Sequence, residues 1–217
     1  VAWLYYADRL MEFPLGVFSI ALATVILPGL AAHHAAQSPE RFAATLDWAL
    51  RLVVIVVLPA TAALIVLSGP LTVTIFHYGE FNVTDVRMAS FALTAYATGL
   101  LGFSMVKVLV PGYFARQDMR TPVRIGIRAL GVNMALNLLV VLPLALVYPD
   151  RPGLHALLAL NNAIGAWVNS TMLYRGLRRQ GVLHHASGWR RMLWQVGAGN
   201  VVVSAVPWVG AGGTAPR

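Results

Sequence analysis

The sequence contains no cysteine and few charged residues. Both features exclude some classes of protein and of functional site. Without cysteine there is no disulfide, no thiolate metal site and no cysteine nucleophile. Charged residues make up 11% of the 217 residues, whereas a soluble globular domain usually carries about 25%. Because 58% of the residues are hydrophobic, a water-soluble fold of this size would leave too much apolar surface exposed. The bilayer is therefore predicted to be the solvent for most of the chain.

Acidic residues are scarce relative to basic ones, with 8 Asp and Glu against 16 Lys and Arg, which gives a net charge of +8. On a soluble protein such a charge would suggest nucleic-acid binding. Here the basic residues stand between apolar blocks, so we interpret them as topology determinants beside anionic lipid headgroups. Membrane lipids are predicted as partners, and nucleic acid is not.

The apolar blocks predict an all-α fold, a polytopic bundle of transmembrane helices. A helical span needs roughly 20 mostly apolar residues, and about six segments of this kind occur. They lie at residues 10–31, 49–68, 89–112, 123–147, 154–174 and 192–209. One bundle is therefore predicted over residues 1–209, followed by an irregular tail at residues 210–217.

Proline, glycine and serine occur at the ends of these spans and within them. Ser38 and Pro39 predict a helix start, with serine as the N-cap and proline at the first helical position. A short helix over residues 38–48 would then lead into span two. Gly99 and Gly102 lie inside span three, where such residues provide hinges in some transporters. The alternative is that glycine is simply frequent in membrane helices.

The charges between the spans alternate in sign along the chain. Basic residues concentrate after spans one, three and five, so the positive-inside rule predicts that these three loops are cytoplasmic. The largest groups are Arg116, Arg120, Arg124 and Arg128 after span three, and Arg175, Arg178, Arg179, Arg190 and Arg191 after span five. The basic end of span five is interpreted as a topology signal, with lipid-headgroup binding as the alternative.

The candidate functional residues lie at the outer start of span one, where Asp8, Arg9 and Glu12 occur together. On a helix, Glu12 shares a face with both of the others, and an arginine fork suits a phosphate or carboxylate. A charge held in the membrane usually faces a cavity or a partner. Arg9 would then bind an anionic ligand such as a diphosphate, and Glu12 would orient Arg9 or take part in coupling. The alternative is an interfacial ion cluster that anchors the helix, with Tyr5 and Tyr6 in the aromatic belt.

Other polar residues carry weaker signals. The asparagines in spans four and five predict hydrogen bonds between helices; they are Asn133, Asn137, Asn161, Asn162 and Asn169. The histidines lack metal-ligand spacing, and no sequence motif of a hydrolase or nucleotide-binding enzyme occurs. A polyprenyl-phosphate transferase would need clustered acidic residues, but Asp118 stands alone. Neither an enzyme nor a cofactor is predicted.

Several blocks, in the same order, resemble the MurJ (MviN) family of lipid II flippases. The first block is YADRLMEFPLG at residues 6–16. Further blocks are ILP at 26–28, SGPLT at 68–72, YGEF at 78–81, KVLVPGYFARQD at 107–118 and TP at 121–122. The resemblance covers about residues 1–195.

The resemblance implies a 14-helix transporter fold of the multidrug/oligosaccharidyl-lipid/polysaccharide exporter superfamily. This chain would run from the eighth helix to about the thirteenth, so it is expected to be a fragment. The family flips lipid II, an undecaprenyl-diphosphate-linked disaccharide-pentapeptide, across the bacterial inner membrane by alternating access for cell-wall synthesis. The cell-wall synthesis machinery is an implied partner.

The resemblance also assigns roles to two residues. Arg9 and Glu12 match positions that line the family's central cavity and are needed for function, so substrate binding is implied for both. No catalytic, cofactor-binding or metal-binding residue is implied, and the membrane potential or an ion gradient is the implied driving force. The alternatives are a related exporter of another lipid-linked oligosaccharide and a multidrug antiporter, families that lack the YADRLMEFPLG wording.

Overall fold

The computed structural model describes residues 2–76, 82–147, 154–183 and 188–211, and within these ranges the chain is helical without a β-strand. Nine α-helices and one π-helical turn make up this part of the chain. They are α1 (Ala2–Ala35), α2 (Pro39–Val66), α3 (Ser68–Phe76), α4 (Val83–Ala97), α5 (Leu100–Phe114), α6 (Arg120–Leu136), the π turn (Asn137–Val141), α7 (Leu142–Val147), α8 (Leu154–Arg179) and α9 (Trp189–Ala211). The predicted all-α fold is confirmed.

The helices follow the predicted spans, with differences at their ends. Within the described residues, α2 and the continuous helix Arg120–Val147 are each long and apolar enough to cross a membrane, and the bent pair α4–α5 would make a third span. The six-span topology stays a prediction. The tail was predicted from residue 210, but α9 includes Gly210 and Ala211. Residues 212–217 and the YGEF block at 78–81 lie outside the described residues.

The predicted third span is one apolar run, but the chain bends by 41° between α4 and α5. A Cβ atom added at Gly99 would lie 2.6 Å from Cα of Ala163 on α8, and one added at Gly102 would lie 3.1 Å from the carbonyl carbon of Ala166. Glycine therefore lets the bent segment approach the α8 backbone, as small residues do between membrane helices.

The start of α2 differs from its predicted N-cap in one detail. Pro39 occupies the first position of α2, and Ser38 is the N-cap residue, as predicted. However, the Ser38 hydroxyl donates to the carbonyl oxygen of Ala36 at 3.3 Å and does not cap α2. The predicted helix 38–48 is the first part of a single helix that continues to Val66.

A complete capping box fixes the start of α4. The Asn82 side-chain oxygen accepts from the Thr84 and Asp85 N–H groups at 2.9 and 3.1 Å. In return, the Asp85 carboxylate accepts from the Asn82 N–H at 3.0 Å. Because this pattern satisfies donors that a helix start otherwise leaves unpaired, Asp85 is held at a defined place at this end of the bundle.

The core lies between α1, α2, α4, α5 and α8, whereas α6 packs mainly against α8. Fully buried side chains in the core include Leu30, Leu46, Leu50, Leu93, Leu109, Tyr113, Leu173 and Leu177. On the helix Arg120–Val147, large apolar side chains face outward; Ile127, Leu139 and Leu146 are 64%, 72% and 74% exposed. A helix that is apolar on its outer face has lipid as its solvent, so the chain is a membrane protein.

Candidate functional site

Arg9, Glu12 and Tyr5 form a contiguous polar cluster on one side of α1. The Arg9 guanidinium donates to the Glu12 carboxylate from Nη1 and to the Tyr5 hydroxyl from Nη2, both at 3.2 Å. It also lies 5.1 Å from the centre of the Tyr5 ring, within the range of a cation–π contact. Residues three and four apart on a helix are neighbours, so the helix itself brings this triad together.

The triad lies on an exposed side of α1. The side chains of Arg9 and Glu12 are 59% and 53% exposed. Two neighbouring residues on α1, Ala7 and Met11, are buried in the core. One side of α1 therefore packs against the bundle, and the opposite side presents the charged residues.

The exposed guanidinium retains the capacity to bind an oxyanion. Arginine has five N–H donors in a planar fork, and Glu12 and Tyr5 each take one bond from a terminal nitrogen. The remaining donors suit two oxygens of a phosphate or diphosphate. Glu12 and the Tyr5 ring hold the fork in place, which lowers the side-chain entropy lost on binding.

The first turn of α1 is fastened to two other helices. The Trp3 indole N–H donates to Oδ1 of Asp85 at 2.8 Å, and the Trp3 ring lies 5.0 Å from the His155 ring at the start of α8. His155 Nε2 in turn lies 2.9 Å from the carbonyl oxygen of Met88 on α4. The first turn of the helix that contains Arg9 is therefore held against α4 and α8.

Sequence reasoning anticipated one contact in this cluster, and substrate binding by its residues stays a prediction. Arg9 and Glu12 were the predicted residues, and the structure brings them into an ion pair. Asp8 was predicted to share their face, but it is half-buried, and no ion pair involving Asp8 occurs among the described residues. Tyr5 was placed in an aromatic belt only under the alternative of an interfacial ion cluster, and its hydroxyl and ring both contact Arg9. Its spacing of four residues from Arg9 was the available signal.

A second polar cluster joins α6, the π turn, α8 and α4. Asn137, the first residue of the π turn, donates to Asn133 at 3.0 Å and accepts from Asn161 at 2.8 Å. Asn133 donates to Asn162 at 2.9 Å, and Asn162 donates to the Tyr96 hydroxyl at 3.5 Å. The predicted hydrogen bonds between helices are confirmed for these four asparagines. Asn169 is different, because its buried side-chain oxygen has no partner within the described structure.

Comparison with known families identifies the chain over almost its whole length. The family model described as lipid II flippase MurJ matches residues 1–213. The chain is 44% identical over 212 residues to the probable lipid II flippase MurJ of Vibrio cholerae, and 39% identical over 209 residues to the lipid II flippase MurJ of Burkholderia cenocepacia. Each match covers 96% of this chain but only 38% and 39% of the respective relative.

A solved structure shares the fold of this chain at low sequence identity. A solved structure of a lipid II flippase MurJ in an inward closed conformation matches all of this chain and 42% of that chain, with a TM-score of 0.79 at 19% identity. This likeness concerns the fold alone. The family model, the relatives and the shared helical arrangement together lead to one conclusion: the chain belongs to the lipid II flippase MurJ family.

Proposed function

We propose that this chain forms part of a flippase that moves lipid II across the bacterial inner membrane for cell-wall synthesis. The exposed triad of Arg9, Glu12 and Tyr5 would contact the diphosphate of the substrate. The observation that carries this proposal is the Arg9 guanidinium, which is held by two neighbours and still presents free donors on an exposed side of α1.

The cost of placing a charge in a membrane supports this role. An arginine in a membrane helix is expensive unless it faces water, a ligand or a partner. The chain spans about two fifths of the length of the relatives it matches. In a protein of that length, further helices would face the triad and enclose a water-filled cavity. A diphosphate entering that cavity would gain charge-assisted hydrogen bonds from Arg9.

The proposed activity is transport without covalent chemistry. This bundle and the further helices of a protein of that length would rock about the bound headgroup and expose it first to the cytoplasmic side and then to the outer side, as in other alternating-access transporters. The membrane potential or an ion gradient would provide the driving force. Within the described residues, the junction of α4 and α5 beside Gly99 is bent by 41°, so this bundle already contains a break in helix direction.

A rescue experiment tests the proposal. The intact gene product that carries this chain is expressed in bacteria depleted of their own lipid II flippase, with or without Arg9→Ala. We expect the substitution to abolish rescue while membrane levels of the protein stay normal. Glu12→Gln should impair rescue less, because the arginine retains the Tyr5 contact.

Arg87→Ala is the matched control. Arg87 is also exposed, and it also lies over an aromatic ring, with its guanidinium 5.6 Å from the Phe91 ring centre. It stands on α4 close to Asp85, at the end of the bundle to which the first turn of α1 is fastened. Full rescue by the control and none by Arg9→Ala would support the proposal, whereas full rescue by both would contradict it.

A further inference from the structure

Four arginines line one open cavity between the start of α6 and the end of α8. The cavity has a volume of about 420 Å³, and its charged lining consists of Arg124, Arg128, Arg175 and Arg179. The two arginines of each helix are four residues apart, so each pair projects from one face of its helix. Two helices thus direct positive charge at the same space.

No carboxylate neutralises this cavity within the described residues. The ion pairs among the described residues join Arg9 to Glu12 and Arg51 to Asp47, and neither pair lies in the cavity. All four cavity arginines are exposed. Like charges gathered around one space repel each other, and an anion placed between them lowers this repulsion. Arginine forks bind phosphate oxygens bidentately, so a phosphate group fits this space.

An apolar groove continues from the basic cavity along α8. This groove, of about 340 Å³, is lined by Ile164, Trp167 and Val168, and it shares Met172 and Arg175 with the cavity. The Trp167 indole N–H donates to the carbonyl oxygen of Thr98 at 2.9 Å, which fixes the ring. A phosphate site that opens into an apolar groove fits an amphipathic ligand, with a headgroup at one end and a hydrocarbon chain at the other.

The cavity is separate from the Arg9 triad. Trp3 at the start of α1 lies against His155 at the start of α8, whereas Arg175 stands 20 residues further along α8. At 1.5 Å per residue this is about 30 Å, which equals the usual thickness of the hydrocarbon core. The two basic sites therefore belong to opposite ends of the bundle, and the charge pattern predicts that the four-arginine end is cytoplasmic.

We propose that this cavity is a binding site for an anionic glycerophospholipid of the cytoplasmic leaflet. Its phosphate lies among the four arginines, and one acyl chain lies along the groove of Trp167. A zwitterionic lipid would bring its own positive group into the cavity, and free phosphate would leave the groove empty. The site goes beyond the proposed transport function and does not depend on it.

Lipid titration of the purified intact gene product, followed by native mass spectrometry, tests this site. The probes are dioleoyl phosphatidylglycerol, dioleoyl phosphatidylcholine and glycerol 3-phosphate. The variant Arg124→Gln/Arg175→Gln removes one arginine from each helix. The control Arg190→Gln/Arg191→Gln removes the same charge from exposed residues at the start of α9, outside the cavity.

The site predicts that phosphatidylglycerol binds more tightly than phosphatidylcholine, and that the cavity variant weakens this binding by about tenfold or more. The control should leave the affinity within about twofold. An equal loss of affinity in the cavity variant and the control would show that general surface charge causes the binding, and it would contradict the proposed site. Displacement of the lipid by glycerol 3-phosphate at equal concentration would show a free-anion site instead. Unchanged phosphatidylglycerol binding by the cavity variant would likewise contradict the proposal.

Discussion

The indole nitrogen of Trp3 lies 2.8 Å from Oδ1 of Asp85, a residue 82 positions later in the chain. The other oxygen of the same carboxylate accepts from the Asn82 N–H and completes the capping box of α4. One side chain therefore both starts α4 and ties it to the helix that carries Arg9. The position of the candidate site depends on this shared carboxylate.

Asp85→Ala should destabilise the protein more than a simple loss of a helix cap would. The lost hydrogen bond from the Asn82 N–H costs about 0.5–1.5 kcal/mol, and the lost indole hydrogen bond to a charged acceptor adds about 1.5–3 kcal/mol. The melting temperature of detergent-purified protein measures this loss. Trp3→Phe removes the indole bond alone and should cost less, so an equal loss in both variants would show that the cap contributes nothing.

Gly99→Ala should be destabilising although alanine is the better helix former. Its Cβ would stand 2.6 Å from Cα of Ala163, so α4, α5 and α8 would have to separate. Overpacking of this kind costs about 1–3 kcal/mol.

The matched control is Gly126→Ala on α6, where an added Cβ meets nothing within 4 Å. Replacing glycine inside a helix there should be neutral or stabilising by up to about 1 kcal/mol. Melting temperatures of the two single variants should therefore move in opposite directions. A loss at both positions would mean that the α8 contact is not the cause.

Local spacing predicted the parts of the site that one helix builds by itself. The pairing of Arg9 with Glu12 follows from residues three apart on a helix, and the Tyr5 contact follows from the same rule although it was not assigned. Trp3 and Asp85 meet only because α1 packs against α4. No spacing in the sequence could reveal a partner 82 residues away.

The bend at Gly99 shows a second limit of the sequence. Residues 89–112 are mostly apolar, so hydropathy alone predicts one span. Gly99 and Gly102 were named as hinge candidates, but glycine is also frequent in membrane helices, so the sequence did not decide between a hinge and a straight helix. The bend is instead associated with close packing of glycines against Ala163 and Ala166 on α8. Similarly, the asparagines were predicted to form hydrogen bonds between helices. The sequence could not show that Asn137 bonds to two other asparagines, or that the Asn169 side-chain oxygen has no partner in the described structure.

Asn137→Ala should loosen the contact between α8 and the helix Arg120–Val147. The substitution removes one bond from Asn161 on α8 and one bond to Asn133 on the same helix, and side-chain hydrogen bonds in membrane proteins average about 0.6 kcal/mol each. A loss of about 1 kcal/mol in stability, measured by unfolding in mixed micelles, is therefore expected. Asn169→Ala is the control and should be neutral or stabilising, because the Asn169 oxygen is buried without a partner in the described structure. The reverse order of the two variants would contradict the polar network.

Asp118 should stabilise the turn before α6 in a pH-dependent way. Hydrogen bonds from the Thr121 hydroxyl and the Thr121 N–H lower the pKa of Asp118 below its ordinary value of 3.8. A depressed carboxyl pKa stabilises the folded state above the unfolded pKa, and this contribution is lost as pH falls through the folded value.

The stability difference between the parent protein and Asp118→Ala should therefore be constant near neutral pH. It should shrink below the unfolded value of 3.8. Melting curves of both proteins across this range measure the difference. A gap that widens in acid would contradict the assigned hydrogen bonds.

Direct binding of a diphosphate lipid to the triad tests the central claim of this account. Purified intact protein, Arg9→Ala and Arg87→Ala are titrated with a fluorescent polyprenyl diphosphate in detergent. Losing a charge-assisted contact of about 1.5–3 kcal/mol predicts that Arg9→Ala weakens binding by roughly ten- to a hundredfold, while Arg87→Ala binds like the parent. Equal affinity of all three proteins would contradict the role of Arg9 in holding the substrate.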